Sequence, residues 1–494
     1  MNAPYHGPAR AELDVAIMGA GFSGLCMAIA LKKAGRTNFR VFEKADDLGG
    51  TWRDNRYPGC ACDVPSHLYS FSFEQNPDWS RSFSPQAEIW RYMKACAQKH
   101  AIISHMRFNA AVASAAYDES AQLWRLRLKG GETVTARAVV SGIGALHLPA
   151  FPKLKGLESF AGRTFHSSEW DENYDLTGKR VAVIGTGASA IQIVPNIAGK
   201  VAKLSLFQRT PSWILPRQDR AYADKTKNRF RNFPFLQRLL RNIIYLALES
   251  RALGFISRPG ILKPAEKMAR DYIARTIPDP AMRAALTPDY AIGCKRILIS
   301  DDFYPALTRP NVELVTDAIR EVTPQGVVTE DGKLRELDAI VFATGFRATE
   351  LLSEMPVTGR GGRKLSDDWK NGAEAYYGIA VAGYPNFFML LGPNTGLGHN
   401  SVIFMIEAQV RYVMDCLGWG AGEVEVRADV QRDFNAAIRA KMDRTVWKSG
   451  CRSWYLNADG SNSTIWPGFT VDYWWKTRRA RRGDFEVRSV TAKV

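Results

Sequence analysis

Short apolar runs recur along the chain, each followed by glycines and then by a stretch of helical period. Leu13–Met18 is the first run and enters Gly19-Ala-Gly21-Phe-Ser23-Gly24. Residues 25–34 then read as a helix stopped by Gly35, and Phe39–Phe42 as a strand ending at Glu43. The pattern repeats at residues 179–184, which enter Gly185-Thr186-Gly187-Ala188-Ser189-Ala190, and at Lys203–Phe207, which ends in Gln208-Arg209-Thr210. Residues 338–342 read as a strand running into Ala343-Thr344-Gly345, and residues 401–417 as a helix capped by Asn400 or Ser401. Between 216 and 291 the apolar spacing turns helical, with Leu236, Leu239, Leu240, Ile243, Ile244 and Leu248 on one face. Two strand–loop–helix–strand units predict an α/β fold of two doubly wound Rossmann-like dinucleotide-binding domains with a helical insertion.

The loops differ in a way that separates their ligands. Gly19 permits a tight turn, Gly21 lets a pyrophosphate approach the backbone, and Gly24 allows helix and strand to pack closely. The helix N-terminus then faces the phosphates. Glu43 is placed to accept hydrogen bonds from ribose hydroxyls and would repel a 2′-phosphate, so the first site predicts FAD or NAD. No carboxylate stands at the equivalent place in the second unit. Arg209 is there instead, with Thr210 beside it, and a guanidinium suits a 2′-phosphate. The second site therefore predicts NADPH.

The chain has 494 residues, 46% hydrophobic and 23% charged, enough for two or three globular domains. No apolar run is long enough to span a bilayer. The opening MNAPYHGPARAELD lacks an apolar signal core, so a cytoplasmic location is expected. Seven scattered Cys are not expected to build a disulfide framework, and Cys60 and Cys62 read as packed thiols because their spacing is wrong for a redox pair. A net charge of +16 raises nucleic acid or membrane surfaces as partners. The cations are scattered, apart from Arg478-Arg479-Ala-Arg481-Arg482, and no nucleic-acid module is present, so no nucleic-acid partner is expected. The apolar face of the insert suits either an interfacial membrane helix or a helix packed on the nucleotide domain and shaping a substrate cavity. The second is the preferred reading, with no stable membrane insertion.

Between the loops lies Phe160-Ala-Gly162-Arg-Thr-Phe-His166-Ser-Ser-Glu-Trp170-Asp171, which reads FxGxxxHxxxW followed by Asp. Residues 49–63 read GGTWxxxRYPGxxCD, and Lys295-Arg296 follows downstream. Together these resemble the type I Baeyer–Villiger monooxygenases of the flavin-containing monooxygenase superfamily, from residue 13 to about 475. The resemblance implies an FAD-dependent NADPH:ketone monooxygenase. Such enzymes use NADPH and O₂ to turn ketones into esters or lactones through a C4a-peroxyflavin, with sulfides as further substrates.

Residue by residue, the resemblance implies that Asp63 lies on the reactive side of the flavin and contacts Arg296. The fixed charge of Arg296 would lower the pKa of the peroxide and stabilise the negative tetrahedral adduct. Gly19, Gly21, Ser23, Gly24, Glu43, Lys44, Gly50, Thr51, Trp52, Asp63 and Tyr69 would line FAD, joined by Asn394 ahead of the capped helix. Gly185, Thr186, Gly187, Ala188, Ser189, Gln192, Arg209, Thr210 and Lys295 would line NADP, with Thr344 and Gly345 linking the cofactor domains. Trp454 would touch both NADP and the substrate pocket. His166 reads as a hinge residue coupling NADP binding to domain arrangement, not as an acid or base.

The implied division is residues 1–146 for the N-terminal part of the FAD-binding domain, 147–348 for an NADP-binding domain with the insert at about 216–291, and 349–494 for the C-terminal FAD part. Residues 457–468 depart from the cyclic-ketone enzymes and look closer to the aryl-ketone and thioamide-activating branch, so the substrate stays open. The rival readings are a flavin monooxygenase acting on N or S of small molecules, a flavin reductase or peroxide-forming oxidase, and a non-catalytic dinucleotide-binding protein. Oligomeric state is open between monomer and homodimer.

Overall fold

The computed structural model describes residues 11–489 except 421, 452 and 458. Leu13–Met18 runs through the middle of an eight-stranded sheet, parallel to Phe39–Phe42 on one side and to Thr133–Ser141 on the other. Val15 to Met18 are all buried, as a parallel strand covered on both faces requires. Thr133–Ser141 is the pivot of this sheet. Its first half is antiparallel to Leu123–Leu128, and its last residues are parallel to Phe387–Met389, which returns from far down the chain. Val357–Thr358 joins the far edge beside Val112–Asp118. One sheet is thus built from residues 13–141 and from two late strands.

The intervening chain forms a second, five-stranded parallel sheet. Its order is Val312–Val315, Lys203–Phe207, Arg180–Ile184, Ala339–Phe342 and Arg163–His166. The fingerprint segment supplies its edge strand, and His166 pairs in register with Phe342. The antiparallel strands Val112–Asp118 and Leu123–Leu128, and the small sheet of Ile319–Thr323, Gly326–Thr329 and Leu334–Glu336, were not part of the sequence expectation. They are short runs whose pairing is set by neighbours rather than by glycine punctuation.

The insert is helical, as expected, with Asp224–Asn232, Pro234–Ile256, Lys263–Thr276 and Pro280–Leu286 as its main pieces. Its long helix does not sit as expected. Leu236, Leu240, Ile244 and Leu248 are half-buried, but Leu239 and Ile243 face outward. Polar anchors set the rotation. Arg241 Nη1 donates to the carbonyls of His67, Leu68 and Ser70, and Gln237 Nε2 donates to Asn76 O. Glu249 accepts from Thr470 Oγ1, the Val471 amide and Asn400 Nδ2. Leaving any of these groups unpaired in the interior would cost more than leaving a leucine in water. Among the described residues no helix is long and apolar enough to cross a membrane.

The cysteine expectation is corrected in one respect: Cys294 and Cys451 form a disulfide across 157 residues of sequence. Spacing alone could not pair residues so distant; only the fold brings their Cα atoms to 6.2 Å. The other five, Cys26, Cys60, Cys62, Cys96 and Cys416, are buried thiols. Burial pushes the Cys60 thiol up to about 12, which makes it a packing group and not a nucleophile.

Two outcomes follow from this packing. In the chain-entropy picture, closing so long a loop stabilises the fold by about 5 kcal/mol. Cys451→Ser should therefore lower Tm, and dithiothreitol should bring the wild type down to the same value. The second concerns His67, which is fully buried beneath the insert helix. Burial, with the Arg241 charge adding to it, holds its pKa down to about 4 against an ordinary 6.5. Above pH 6.5 both folded and unfolded states are neutral there and the full stability is present. As the pH falls from 6.5 toward 4, only the unfolded chain takes the proton, removing up to about 3 kcal/mol. Denaturant unfolding across this range should show the loss, and His67→Gln should flatten it.

Candidate active site

The first loop takes the conformation its glycines allow. Gly19 has φ +92°, in the left-handed region. A Cβ on Gly24 would lie 1.9 Å from the Gly19 carbonyl oxygen, so helix Phe22–Lys33 starts tight against the strand. Gly21 is open by contrast: a Cβ there would meet only Gly50 Cα, at 4.0 Å. The second loop repeats the design, with Gly185 at φ +109° and Gly187 with nothing within 4 Å. Both loops thus present bare backbone at the position where a pyrophosphate must approach.

Glu43 is buried at the end of its strand and accepts hydrogen bonds from the amides of Ala20 and Ala45. Arg53 Nη1 pairs with it at 2.8 Å, a partner that the sequence reading missed. These contacts fix the carboxylate in a buried place, with lone pairs remaining for a ribose. Trp52 Nε1 donates to Tyr69 Oη at 3.1 Å, and these two aromatic residues form one wall next to the first loop.

Asp63 and Arg296 meet across 233 residues of sequence. Arg296 Nε and Nη2 both donate to the Asp63 carboxylate, at 2.6–2.9 Å, in a two-pronged pair. The pair is only partly screened from solvent, with 31% of the Arg296 side chain and 27% of Asp63 exposed. Asp63 raises the pKa of Arg296 still further, so this cation is permanent. Tyr455 lies buried beside the pair, a residue that no sequence signal singled out. Burial pushes its phenol up to about 12, and the charge of Arg296 acts the other way.

Lys295, the preceding residue, belongs to the other half. Its ammonium lies 4.5 Å from the centre of the Tyr290 ring. Burial lowers its pKa, the Arg209 charge lowers it further, and Asp289 acts the other way. Neighbouring residues thus have different electrostatic partners: Arg296 is bonded to Asp63, and Lys295 feels the charge of Arg209.

Two ties hold the halves in register, and two further bonds brace the second unit. Gln192 accepts from Tyr57 Oη at 3.0 Å and donates to Ala61 O at 3.0 Å, so its amide is spent on joining the second loop's helix to the segment that carries Asp63. His166 is fully buried, with Nε2 3.0 Å from Gly345 O and Nδ1 2.8 Å from Ser168 Oγ. Thr344 Oγ1 donates to Ala150 O. The second tie between the halves is the disulfide, which links the segment of Lys295 and Arg296 to that of Trp454 and Tyr455. Trp454 is largely exposed, with its ring against Tyr455. Asn394 is buried and uses its amide to hold Asn462 O and Ile465 O. Ser401 Oγ accepts from the Ile403 amide and caps Val402–Gly418, as the sequence predicts.

The comparisons agree with this geometry. Residues 12–255 match the flavin-binding monooxygenase-like family. A Baeyer–Villiger monooxygenase of Pseudomonas aeruginosa is 51% identical over 96% of this chain and 91% of its own. Another, of Streptomyces coelicolor, is 46% identical over 99% and 95%. The closed crystal structure of cyclohexanone monooxygenase superposes with a TM-score of 0.88 over 98% of this chain and 100% of that one, at 28% identity. A steroid monooxygenase bound to NADP superposes with a TM-score of 0.86 over 96% and 99%, at 30% identity. The chain belongs to the Baeyer–Villiger monooxygenases within the flavin-binding monooxygenase-like family, with FAD and NADPH as cofactors.

Proposed function

We propose that Asp63 and Arg296 form the reactive centre of an enzyme that oxidises ketones to esters or lactones. The two-pronged pair between these residues carries the reading. Bound FAD, reduced by NADPH, supplies the oxygen-activating chemistry. The protein's part is electrostatic and positional. The guanidinium of Arg296 keeps its charge at every working pH and stabilises the negative charge that develops on the ketone oxygen. Asp63 fixes the plane of that guanidinium. It leaves Nη1, which makes no bond to Asp63, free to turn toward the substrate. Tyr69 and Trp52 wall the flavin side, and Trp454 stands at the mouth of the substrate pocket.

Gly19, Gly21, Ser23, Gly24, Glu43, Lys44, Gly50 and Thr51 are assigned to FAD. Gly185, Thr186, Gly187, Ala188, Ser189, Arg209, Thr210 and Lys295 are assigned to NADPH, with Arg209 and Lys295 on its 2′-phosphate. The paired cations at Arg209 and Lys295 support that preference. His166 is assigned to coupling, because its ring joins the fingerprint strand to the Thr344-Gly345 turn. The division into residues 1–146, 147–348 and 349–494 follows the two sheets. The reading extends to sulfides as further substrates and to a monomer or homodimer working in the cytoplasm, where NADPH is supplied.

Arg296→Ala should keep NADPH oxidation within a few-fold of wild type while ester formation falls by about 100-fold or more. Product analysis on a panel of ketones and sulfides reads this directly, and a variant with normal ester yield would remove Arg296 from the centre. Arg209→Ala should raise KM for NADPH about tenfold or more while leaving KM for NADH nearly unchanged. Equal use of both nicotinamides by the wild type would sink the phosphate assignment.

A further inference from the structure

The long helix of the insert, Pro234–Ile256, carries a second apolar stripe on its outer side. Phe235, Leu239, Ile243 and Leu246 follow one another at spacings of four, four and three, which puts them on a single stripe. With Phe233 just ahead of them, they are 52–63% exposed. The opposite side, facing the protein, holds Gln237 and Arg241 together with Ile244, Leu248, Ala252 and Phe255, and Glu249 is buried at its edge. Buried charged groups inside and bare leucines outside invert part of the pattern of an ordinary surface helix.

The inversion is locked. Arg241 and Gln237 are bonded to backbone carbonyls of residues 67–76, and Glu249 is bonded to the start of the helix Thr470–Lys476. Turning the helix to hide its leucines would break all of these bonds. The apolar stripe is therefore held outward by the fold, which is how a docking surface is built rather than how a core is made.

The surroundings identify the partner. From residue 225 to 258 the only acidic residue is Glu249, which is buried, whereas Lys225, Arg229, Arg231, Arg238, Arg251 and Arg258 are exposed. Arg231 is paired with Asp78. The helix Thr470–Lys476, tied to the insert helix through Tyr245 and Glu249, contributes exposed Val471 and Trp475. Exposed Arg478, Arg479, Arg481 and Arg482 follow it. A second copy of this chain would bring the same cations against themselves. An apolar stripe rimmed by arginines, with tryptophan nearby, matches the boundary of an anionic lipid bilayer.

We propose that the insert helix, aided by the helix Thr470–Lys476 and its arginines, docks this enzyme on an anionic membrane surface, with the stripe seated among the headgroups and no segment spanning the bilayer. This accounts for part of the +16 charge that the two nucleotide sites leave unused.

The test is co-sedimentation of the FAD-loaded full-length enzyme with vesicles. One set is equimolar phosphatidylcholine and phosphatidylglycerol; the other is phosphatidylcholine alone. Binding to the anionic set at low salt should exceed binding to the neutral set by at least tenfold, and should fall at least tenfold in high salt. Leu239→Glu with Leu246→Glu should lose vesicle binding at least tenfold while kcat on a water-soluble ketone stays unchanged. Arg238→Glu with Arg251→Glu should weaken binding with the same retention of activity. Wild type that stays in the supernatant overturns the proposal, as does equal sedimentation of the wild type and the Leu239→Glu, Leu246→Glu variant. A concentration-dependent dimer that this variant dissociates would also overturn it, by giving the stripe to a second copy.

Discussion

A carboxylate and a guanidinium 233 positions apart, Asp63 and Arg296, can meet only when both sheets are in their final places. Removing either partner would leave the other desolvated and wrongly oriented, so the pair demands accuracy from everything that carries it. Asp63 sits on a segment that runs on from the first glycine loop. Arg296 follows the insert, just ahead of the strand Leu298–Ile299 that pairs with Ile214–Leu215. The chemistry assigned to Arg296 therefore depends on the junction between two units as much as on either unit.

The junction is secured by two kinds of bond. Gln192 spends its amide on Tyr57 and Ala61, and Cys294 is covalently joined to Cys451. Each tie falls within a few residues of a group assigned to a cofactor or to the reaction. Tyr57, Cys60 and Cys62 have raised pKa values, chiefly from burial, so the segment leading to Asp63 is dry and its thiols are inert. The Asp63–Arg296 pair itself stays partly exposed, so its order rests on the two-pronged geometry. Glu43, by contrast, is buried and bonded to Arg53 and two amides.

The helical insert shows that packing and hydrophobicity need not agree. Its buried side is chosen by Arg241, Gln237 and Glu249, whose hydrogen bonds outrank the transfer energy of a few leucines. The outward apolar stripe follows from that choice. Helical period alone identifies the helix and its apolar face, but cannot say which side the protein uses.

Local rules were enough for much of this protein. Glycines at 19, 21, 24, 185 and 187, each after an apolar strand, identify two dinucleotide loops, and Glu43 against Arg209 separates their ligands by charge alone. The spaced motifs from 49–63 and 160–171 carry the family. These signals are legible because the physics behind them acts within a few residues: a turn that needs positive φ, a strand end that presents one side chain, a helix cap. The remaining features arise where distant segments meet. The Cys294–Cys451 bond, the place of Tyr455 beside Arg296, the use of Gln192 as a tie and the outward face of the insert helix all depend on tertiary contacts. No spacing rule reaches across more than a hundred residues; burial and hydrogen-bond satisfaction decided these features, and both exist only once the chain has folded.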